Sequence, residues 1–453
     1  MGRFGVEPLA AAIEPWRQAP RIWLAYSGGH DSSVLLHAVF ALGLPVHALH
    51  VDHGLHPDSE RWAMHCRAQC SALGIPLRVE RVTVRPRGEG LEAAARNARY
   101  AVFAAVLAAR ECIATAHHAD DQAETVLLRI LRGTGIDGLA GMPRERALGA
   151  GRLIRPLLGF RRGDLAAYAA RHDLRWIDDP ANRCVQHDRS FLRERIMPLL
   201  ETRWPGLDQR LARLARHASA ASTLAESWAR QRLTELGATE RLSVAALAGL
   251  EETPRLQLLR TWIRQQARRP PPERRLRRGL ADLLGAACDR QPALAWVDGC
   301  IRRYRDRLYL LPPCLPEPPA KPLAWDIGQP LNVPNLGRLE AKSSRGKGLR
   351  ARSLQRASVE VRFRQGGERV QVHGQARALK RLLQEWGVPP WVRAHLPLVY
   401  IGQDLAAVAD LLVTDPFLAG PAEPGLELHW HSVVTWEREH CNVAGSRSAG
   451  RGS

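Results

Sequence analysis

Residues 21–32 read Arg-Ile-Trp-Leu-Ala-Tyr-Ser-Gly-Gly-His-Asp-Ser, an apolar run that ends in two glycines. The apolar run predicts a buried strand, and the polar residues after it predict the first turn of a helix that continues to Leu42, before Gly43. A pair of glycines lets the backbone approach a bulky anion, and the N-terminus of a helix directs unpaired N–H groups at that anion. The segment therefore predicts a phosphate-binding loop between a strand and a helix.

Two better-known nucleotide-binding loops do not match this segment. The pattern G-x-x-x-x-G-K-[ST] is absent, since the chain has no lysine before Lys321, and the segment is not G-x-G-x-x-G either. An ordinary strand–helix turn, in which Ser27 or Asp31 only caps the helix, is the alternative interpretation. The glycine pair alone does not decide between them.

Strands and helices alternate through the first third of the chain. After the first strand, further strands are predicted at 45–51, 76–84 and 112–116, with helices at 59–73, 91–110 and 120–132. This alternation predicts an α/β fold with a doubly wound, mostly parallel sheet. Ligands of such sheets bind beyond the carboxyl ends of the strands, where the polar segments 27–32, 52–56 and 117–124 fall. The sequence thus predicts one site built from three strand ends.

Changes in composition predict three domains and a tail. We predict a catalytic α/β domain at 1–206, a mainly helical substrate-binding domain at 207–315 and a small α+β domain at 325–436. The Gly/Ser/Arg-rich residues 437–453 predict a disordered tail.

Local patterns subdivide the second half of the chain. Residues 207–266 predict only helices, and the Pro/Arg-rich residues 268–278 predict a loop. Residues 295–311 alternate like strands, and residues 312–322, with six prolines, predict a linker.

The charge balance favours a polyanionic partner. The chain has 65 Lys and Arg against 46 Asp and Glu, a net charge of +19, and almost all of its cations are arginines. Arginine neutralises phosphates, so RNA or DNA fits this balance; genomic base composition is the alternative cause. The eight cysteines include no C-x-x-C pair and no apolar run reaches the length of a membrane span, which predicts a cytoplasmic protein with no membrane partner.

A second chemical cluster reads His117-His118-Ala119-Asp120-Asp121-Gln122-Ala123-Glu124. Asp121 and Glu124 are three residues apart and share one helical face, which His117 is able to overhang. An imidazole with two carboxylates suits metal binding and proton transfer. Acidic residues that stabilise the helix dipole are the alternative, but this does not account for the histidines.

Other candidates surround this predicted edge. Histidines at 50, 53 and 56 predict a loop over a nucleotide base rather than a zinc site, and glycines at 133, 135 and 138 predict a substrate-binding or hinge loop. A helix at 189–200, broken near its end by Pro198, carries arginines that contact either RNA phosphate or only solvent. The same two interpretations apply to a C-terminal helix with three basic residues on one side, Arg377, Lys380 and Arg381.

These residues resemble known families. Ser27-Gly28-Gly29-x-Asp31-Ser32 resembles the PP-loop signature of ATP pyrophosphatases, which cleave ATP to AMP and pyrophosphate. Seven collinear stretches resemble the tRNA(Ile)-lysidine synthase family, at 50–55, 115–129, 132–142, 155–158, 179–184, 361–370 and 379–391. They cover the first and last predicted domains and hardly touch the helical middle.

The resemblance implies a reaction and its partners. Such an enzyme transfers AMP from ATP to the carbonyl oxygen on carbon 2 of a cytidine. That cytidine is the wobble base of tRNA(Ile) with a CAU anticodon. The ε-amine of free L-lysine then displaces AMP, and the codon read changes from AUG to AUA. ATP and Mg²⁺ are the implied cofactors, and a homodimer is left open.

The resemblance also implies roles for individual residues. The implied ATP-binding residues are Ser27, Gly28, Gly29, His30, Asp31, Ser32, Asp52 and His53, with Asp31 also the ligand for Mg²⁺. The implied catalytic residues are Asp31, Arg96, His117, Asp121 and Glu124. The candidates for substrate binding are Arg132, Gly133, Gly135, Arg189, Arg193, Arg377 and Lys380. His30 and the sequence after residue 184 depart from the family pattern, which leaves the role of His30 and the tRNA contacts near 189–195 open.

Three other functions remain to be weighed. A PP-loop tRNA thiolase would need paired cysteines, which this chain lacks. A non-catalytic RNA-binding module would not need the acidic and histidine residues of 117–124. A ligase for small-molecule amidation would not need the arginine-rich middle region.

Overall fold

A computed structural model describes residues 4–85, 90–178, 188–286, 290–354 and 358–433. The chain divides into two compact units, Met1–Ala225 and Glu226–Ser453. The motif at 179–184 and the predicted tail at 437–453 lie outside the described residues. The division of the chain into three functional domains stays a prediction.

The first unit contains a six-stranded sheet with the strand order β3-β2-β1-β4-β6-β5. Its strands are β1 Ile22–Ala25, β2 Val46–Asp52, β3 Leu77–Arg81, β4 Cys112–Ala114, β5 Glu145–Leu148 and β6 Gly151–Ile154. All neighbouring strands pair in parallel except β5, which pairs antiparallel with β6 at the edge. The predicted mostly parallel sheet is confirmed.

Helices cover both faces of this sheet. They are α1 Val6–Ile13, α2 His30–Ala41, α3 Ser59–Ala72, α4 Leu91–Val106, α5 Ala119–Leu131, α6 Ile136–Leu139 and α7 Arg162–Arg171, with 3₁₀ turns at Glu14–Trp16 and Pro156–Gly159. Leu24 of β1 packs in one core with Leu35 of α2, whereas its neighbour Trp23 packs in another core with Phe103 of α4. Because successive strand residues point to opposite faces, α2 and α4 lie on opposite sides of the sheet. This is the predicted doubly wound arrangement.

The segment after the described gap forms one short helix, a π-helical turn and two further helices. These are α8 Asp188–Phe191, the π-helix Leu192–Ile196, α9 Met197–Arg203 and α10 Leu207–Glu235. The prediction that Pro198 breaks a helix near its end was wrong, since Pro198 lies in the first turn of α9. Proline is tolerated there because the first N–H groups of a helix have no partner within it.

The second unit begins with helices and a small antiparallel sheet, ordered β7-β10-β9-β8. The elements are β7 Arg241–Ser243, α11 Val244–Ala248, α12 Glu252–Gln265, α13 Glu273–Gly285, β8 Ala293–Trp296, β9 Gly299–Tyr304 and β10 Arg307–Leu311. Two predictions were wrong here: 207–266 contains a strand, and the second half of the predicted loop at 268–278 is helical. Leu276, Leu280 and Leu283 form the buried face of α13, and the arginines between them obscured that pattern in the sequence.

The remaining elements form the small α+β region predicted for the C-terminus. They are β11 Leu323–Ala324, β12 Leu331–Val333, β13 Gly337–Arg345, β14 Leu349–Arg350, the 3₁₀ turn Ala351–Leu354, β15 Val359–Arg362, β16 Arg369–Val372, β17 Gln375–Ala378, α14 Leu379–Glu385, α15 Pro390–Arg393, β18 Leu398–Ile401, β19 Asp404–Val408, β20 Leu412–Val413, the 3₁₀ turn Asp415–Phe417 and β21 Pro424–Ser432. Arg377 lies on β17 and not on the predicted helix.

The proline-rich segment 312–322 contains no helix or strand, as predicted. It is nevertheless anchored, because Nε2 of the buried His395 lies 2.8 Å from the carbonyl oxygen of Pro316. Across the residues that the structure describes, no helix combines the length and the apolar character needed to cross a membrane.

Candidate active site

The glycine-rich loop connects β1 to α2 at the carboxyl edge of the sheet. Gly28 adopts φ +77°, and Gly29 is the N-cap of α2 and supplies no capping side chain. Ser27 Oγ accepts a 3.3 Å hydrogen bond from the Gly29 N–H and lies 3.0 Å from Ser32 Oγ. The loop is therefore held by its own side chains, while the first N–H groups of α2 remain available to an anion.

Substituting Gly28 by alanine tests how tightly this loop is packed. A Cβ there would lie 2.8 Å from Ile177 Cδ1 and 2.9 Å from Cys66 Sγ, in a left-handed conformation. We expect the overlap to cost about 1–3 kcal/mol of the free energy of unfolding, beyond about 1–2 kcal/mol of backbone strain, together with weaker ATP binding. Gly43→Ala is the matched control, because Gly43 has φ +65° and open space around it. Equal losses of melting temperature in the two variants would contradict the tight fit.

Asp31 follows the loop and is held by two histidines. His30 Nδ1 lies 2.7 Å from Asp31 Oδ1, and His118 Nε2 lies 3.5 Å from Asp31 Oδ2. Burial favours the neutral acid, but the hydrogen bonds from His118 and His30 hold the pKa of Asp31 well below its usual range. The His30 ring packs edge-on against Trp176, with ring centroids 4.8 Å apart. His30, whose role the sequence left open, thus orients the Asp31 carboxylate.

His118 joins the loop to the acidic cluster. Its Nε2 lies 3.5 Å from the Oδ2 atoms of both Asp31 and Asp121, and its backbone N–H donates to Asp121 Oδ2 at the start of α5. Burial disfavours the charged form, but the surrounding carboxylates, first its hydrogen-bond partner Asp120, raise the pKa of His118 to about 10. The sequence pattern pointed to His117 as the catalytic histidine and not to His118. The N-cap position of His118, three residues before Asp121, was the available signal.

His117 lies on the other side of the same strand end. Its Nδ1 is 2.8 Å from Thr115 Oγ1, and burial, together with nearby arginine charges, lowers the pKa of its imidazole far below the ordinary value. At neutral pH the two adjacent histidines therefore differ in charge, because His117 is neutral and His118 is protonated.

The carboxylates of Asp121 and Glu124 share one face of α5, as predicted, and both are buried. Arg189 donates to Glu124 Oε2 at 2.9 Å and to Asp121 Oδ1 at 2.8 Å. Arg193 donates to Glu124 Oε1 at 2.7 Å and to Asp121 Oδ1 at 3.2 Å. The sequence assigned these arginines to the substrate RNA, but the structure places them on the predicted catalytic carboxylates.

The end of β2 contributes Asp52 and His53. Asp52 Oδ1 accepts a 2.8 Å hydrogen bond from the Gly54 N–H, and its Oδ2 lies 3.5 Å from Arg81 Nε. Burial, and next the charge of Arg99, lower the pKa of His53. Both residues lie at the predicted edge of the sheet, and their contact with adenosine stays a prediction.

Several substrate-binding candidates lie apart from this centre. Arg132 is exposed and pairs with Asp188 at 2.7 Å, while Gly133 has φ +69° at the end of α5 and Gly135 is the N-cap of α6. In the second unit, Arg377 pairs with Glu385 at 2.7 Å and Lys380 is exposed on α14. Their contacts with RNA stay predictions.

A parallel sheet whose first strand leads through a glycine loop into a helix, with an ionised aspartate beside it, defines a PP-loop ATP-using enzyme. The family model described as a PP-loop domain matches residues 6–200. Two more models, described as the TilS substrate binding domain and the TilS substrate C-terminal domain, match residues 242–309 and 359–430.

Full-length relatives make the assignment specific. The chain is 44% identical over 423 residues to the tRNA(Ile)-lysidine synthase of Alkalilimnicola ehrlichii, and the matched region covers 92% of this chain and 95% of that protein. It is 43% identical over 436 residues to that of Xanthomonas campestris pv. campestris, covering 94% and 98% of the two chains. The corresponding protein of Coxiella burnetii is 38% identical over 430 residues, or 93% and 96%. The chain belongs to the tRNA(Ile)-lysidine synthase family, as the resemblance predicted.

Proposed function

We propose that this enzyme adenylates the wobble cytidine of tRNA(Ile) with a CAU anticodon and then joins free L-lysine to it, forming lysidine. The observation that carries the proposal is the position of His118, whose Nε2 is 3.5 Å from Asp31 beside the phosphate loop and 3.5 Å from Asp121 in the acidic pair. One imidazolium thus links a site for phosphate to a site for a cationic amine.

In the first step, the oxygen on carbon 2 of the cytidine attacks the α-phosphorus of ATP, and the bond to pyrophosphate breaks. The N–H groups at the start of α2 hold phosphate oxygens, and the protonated His118 offsets negative charge that grows during the transfer. Adenylation is needed because the carbonyl oxygen is a poor leaving group, whereas AMP is a good one.

Mg²⁺ fits this site as a companion of ATP. Within the described ranges, no group of three or more His, Cys, Asp or Glu side chains is arranged to hold a metal ion alone. Mg²⁺ characteristically needs only one or two carboxylates and takes its other ligands from phosphates and water. Asp31, ionised and beside the phosphate loop, would hold it, and the ion would offset phosphate charge.

In the second step, the ε-amine of lysine attacks carbon 2, and the bond from that carbon to the AMP oxygen breaks. Asp121 and Glu124 already bind two guanidinium groups, so their oxygens are suited to a cationic amine. The amine must lose a proton before it attacks, and a carboxylate of this pair accepts it. The cationic amine displaces Arg189 and Arg193 from these oxygens when it binds, before it loses its proton, which frees both arginines to contact RNA phosphate.

The setting of the reaction follows from its substrates. Free lysine, ATP and tRNA meet in the cytoplasm, and the described cysteines 66, 70, 112, 300 and 314 are all free thiols, in keeping with a reducing compartment. The homodimer that the resemblance leaves open stays a prediction.

Incorporation of labelled lysine tests the proposal directly. We expect the purified enzyme to attach labelled L-lysine to freshly transcribed tRNA(Ile) with a CAU anticodon, with one pyrophosphate released for each lysine attached. The reaction should require ATP, and chelation of Mg²⁺ should stop it. The same transcript with uridine at the wobble position is the matched control and should remain unlabelled. Absence of label in the CAU transcript would refute the proposal.

A further inference from the structure

Four arginines surround a tyrosine at the carboxyl edge of the sheet. The guanidinium carbons of Arg96 and Arg146 lie 5.1 and 5.0 Å from the centre of the Tyr100 ring. Arg99 and Arg155 add two more charges that act on the same phenol. We refer to these five residues as the Tyr100 cluster. In the described part of the chain, no ion pair joins any of the four arginines to a carboxylate, although the charge of Glu92 acts on Arg99 from a greater distance.

Three separate elements bring the Tyr100 cluster together. Arg96, Arg99 and Tyr100 lie in the first three turns of α4, and Arg155 directly follows β6. Arg146 lies near the start of β5, which runs antiparallel to β6 and pairs Arg146 with Leu153. The cluster is therefore at the carboxyl edge of the sheet, on the α4 side, whereas the phosphate loop leads into α2 on the opposite side.

Two buried polar atoms within the cluster make no hydrogen bond of good geometry to a described residue, although the Arg155 side chain lies close enough to the Tyr100 phenol to interact with it. They are the hydroxyl oxygen of Tyr100 and Nε of Arg155, a residue that is only 3% exposed. A buried donor without a partner costs about 1–3 kcal/mol, and the mutual repulsion of four guanidinium groups adds to this cost. An anion that accepts hydrogen bonds from both atoms would remove both penalties.

The electrostatics of the cluster extend to the reaction centre. Burial alone raises the pKa of a phenol, but the four guanidinium charges lower the pKa of Tyr100 below its ordinary value. Two of the same arginines, Arg155 and Arg96, help to lower the pKa of His117. The cluster thus acts on the end of β4, where the cytidine is to be adenylated.

We propose that the Tyr100 cluster is a phosphate subsite for the RNA backbone, which takes the phosphate next to the target cytidine. This inference rests on the proposed function, which brings that nucleotide to the end of β4. The ATP phosphates have their own site at the start of α2, on the other side of the sheet. A backbone phosphate offers oxygens to arginine forks and to a phenol at once, and it fixes the position of the base without reading it.

The first test measures affinity for tRNA(Ile) at several salt concentrations. Arg146→Ala should weaken binding about tenfold and lower the slope of log affinity against log salt by about one. Tyr100→Phe, which removes only the hydroxyl, should weaken binding less and leave the slope unchanged. Arg171→Ala, an exposed arginine at the far end of α7, is the charge-matched control and should change neither quantity.

The second test locates the phosphate and separates the two possible sources. A tRNA with one neutral methylphosphonate beside the wobble cytidine should bind the wild-type enzyme more weakly, with no further loss in Arg146→Ala. An unchanged salt slope in Arg146→Ala would overturn the inference. So would a loss of ATP affinity that matches the loss of tRNA affinity, since that would assign the cluster to ATP phosphates. Lysine incorporation by the wild-type enzyme is scored separately, so failure of the proposed function is distinguishable from failure of the subsite.

Discussion

Asp31→Ala is expected to lower tRNA-dependent pyrophosphate release by about 10³-fold while leaving tRNA affinity within twofold. A rate loss of this size is typical when an enzyme loses one preorganised group that stabilises charge in the transition state. Asp31 is ionised, is held by His30 and His118, and lies beside the glycine loop at the end of β1. Its loss removes both the proposed ligand for Mg²⁺ and one of the three carboxylates that face His118.

Three measurements separate chemistry from folding in this variant. Pyrophosphate release reports the first step, tRNA affinity reports the RNA surface, and thermal melting reports the fold. His30→Ala removes one of the two partners that hold Asp31 while keeping the carboxylate, so we expect a smaller loss of rate. A large loss of tRNA affinity in Asp31→Ala would instead make the loop a structural element.

The sequence was sufficient to predict the sheet and the position of the site because both depend on local patterns. Apolar runs of strand length, each followed by glycine or a polar cluster, predict parallel strands whose carboxyl ends share one edge. Ser27–Ser32 and His117–Glu124 were placed together on that argument alone. The structure brings Asp31 and Asp121 to the same imidazole.

The ion pairs of Arg189 and Arg193 depend on tertiary structure and not on local pattern. Arg189 lies 65 residues from its partner Glu124, and nothing in the spacing of either residue indicates the other. The net charge instead favoured a role for these arginines on RNA. Composition describes the whole surface, whereas the partner of one side chain is set by how α8 packs beside α5.

The helix α13 shows a different limit of the sequence. Prolines at 270–272 and frequent arginines suggested a loop, yet Leu276, Leu280 and Leu283 are buried with Trp262 in one core. Three leucines at helical spacing are a weak signal among many charges, and burial against α12 decided the outcome. Tertiary packing, and not the local preference of the sequence for a loop, decided the structure of this segment.

Glu124→Gln is expected to lower lysine attachment by about 10²-fold or more while adenylation of the tRNA continues. The amide keeps the shape of the side chain but neither accepts a proton nor attracts an ammonium group. Lysine should therefore bind more weakly and attack more slowly, and adenylated tRNA should accumulate. Rapid quenching with labelled ATP would follow the adenylated RNA, and labelled lysine would follow the second step.

Stability must be measured beside the rates, because Glu124 is buried against two guanidinium groups. Removing one charge of a buried pair costs about 3–5 kcal/mol, so some loss of melting temperature is expected in Glu124→Gln. Glu124→Asp keeps the charge on a shorter side chain and should restore part of the lysine step. Equal loss of both chemical steps in a folded Glu124→Gln enzyme would contradict the assignment, because a residue that acts only on lysine cannot slow the adenylation that precedes it.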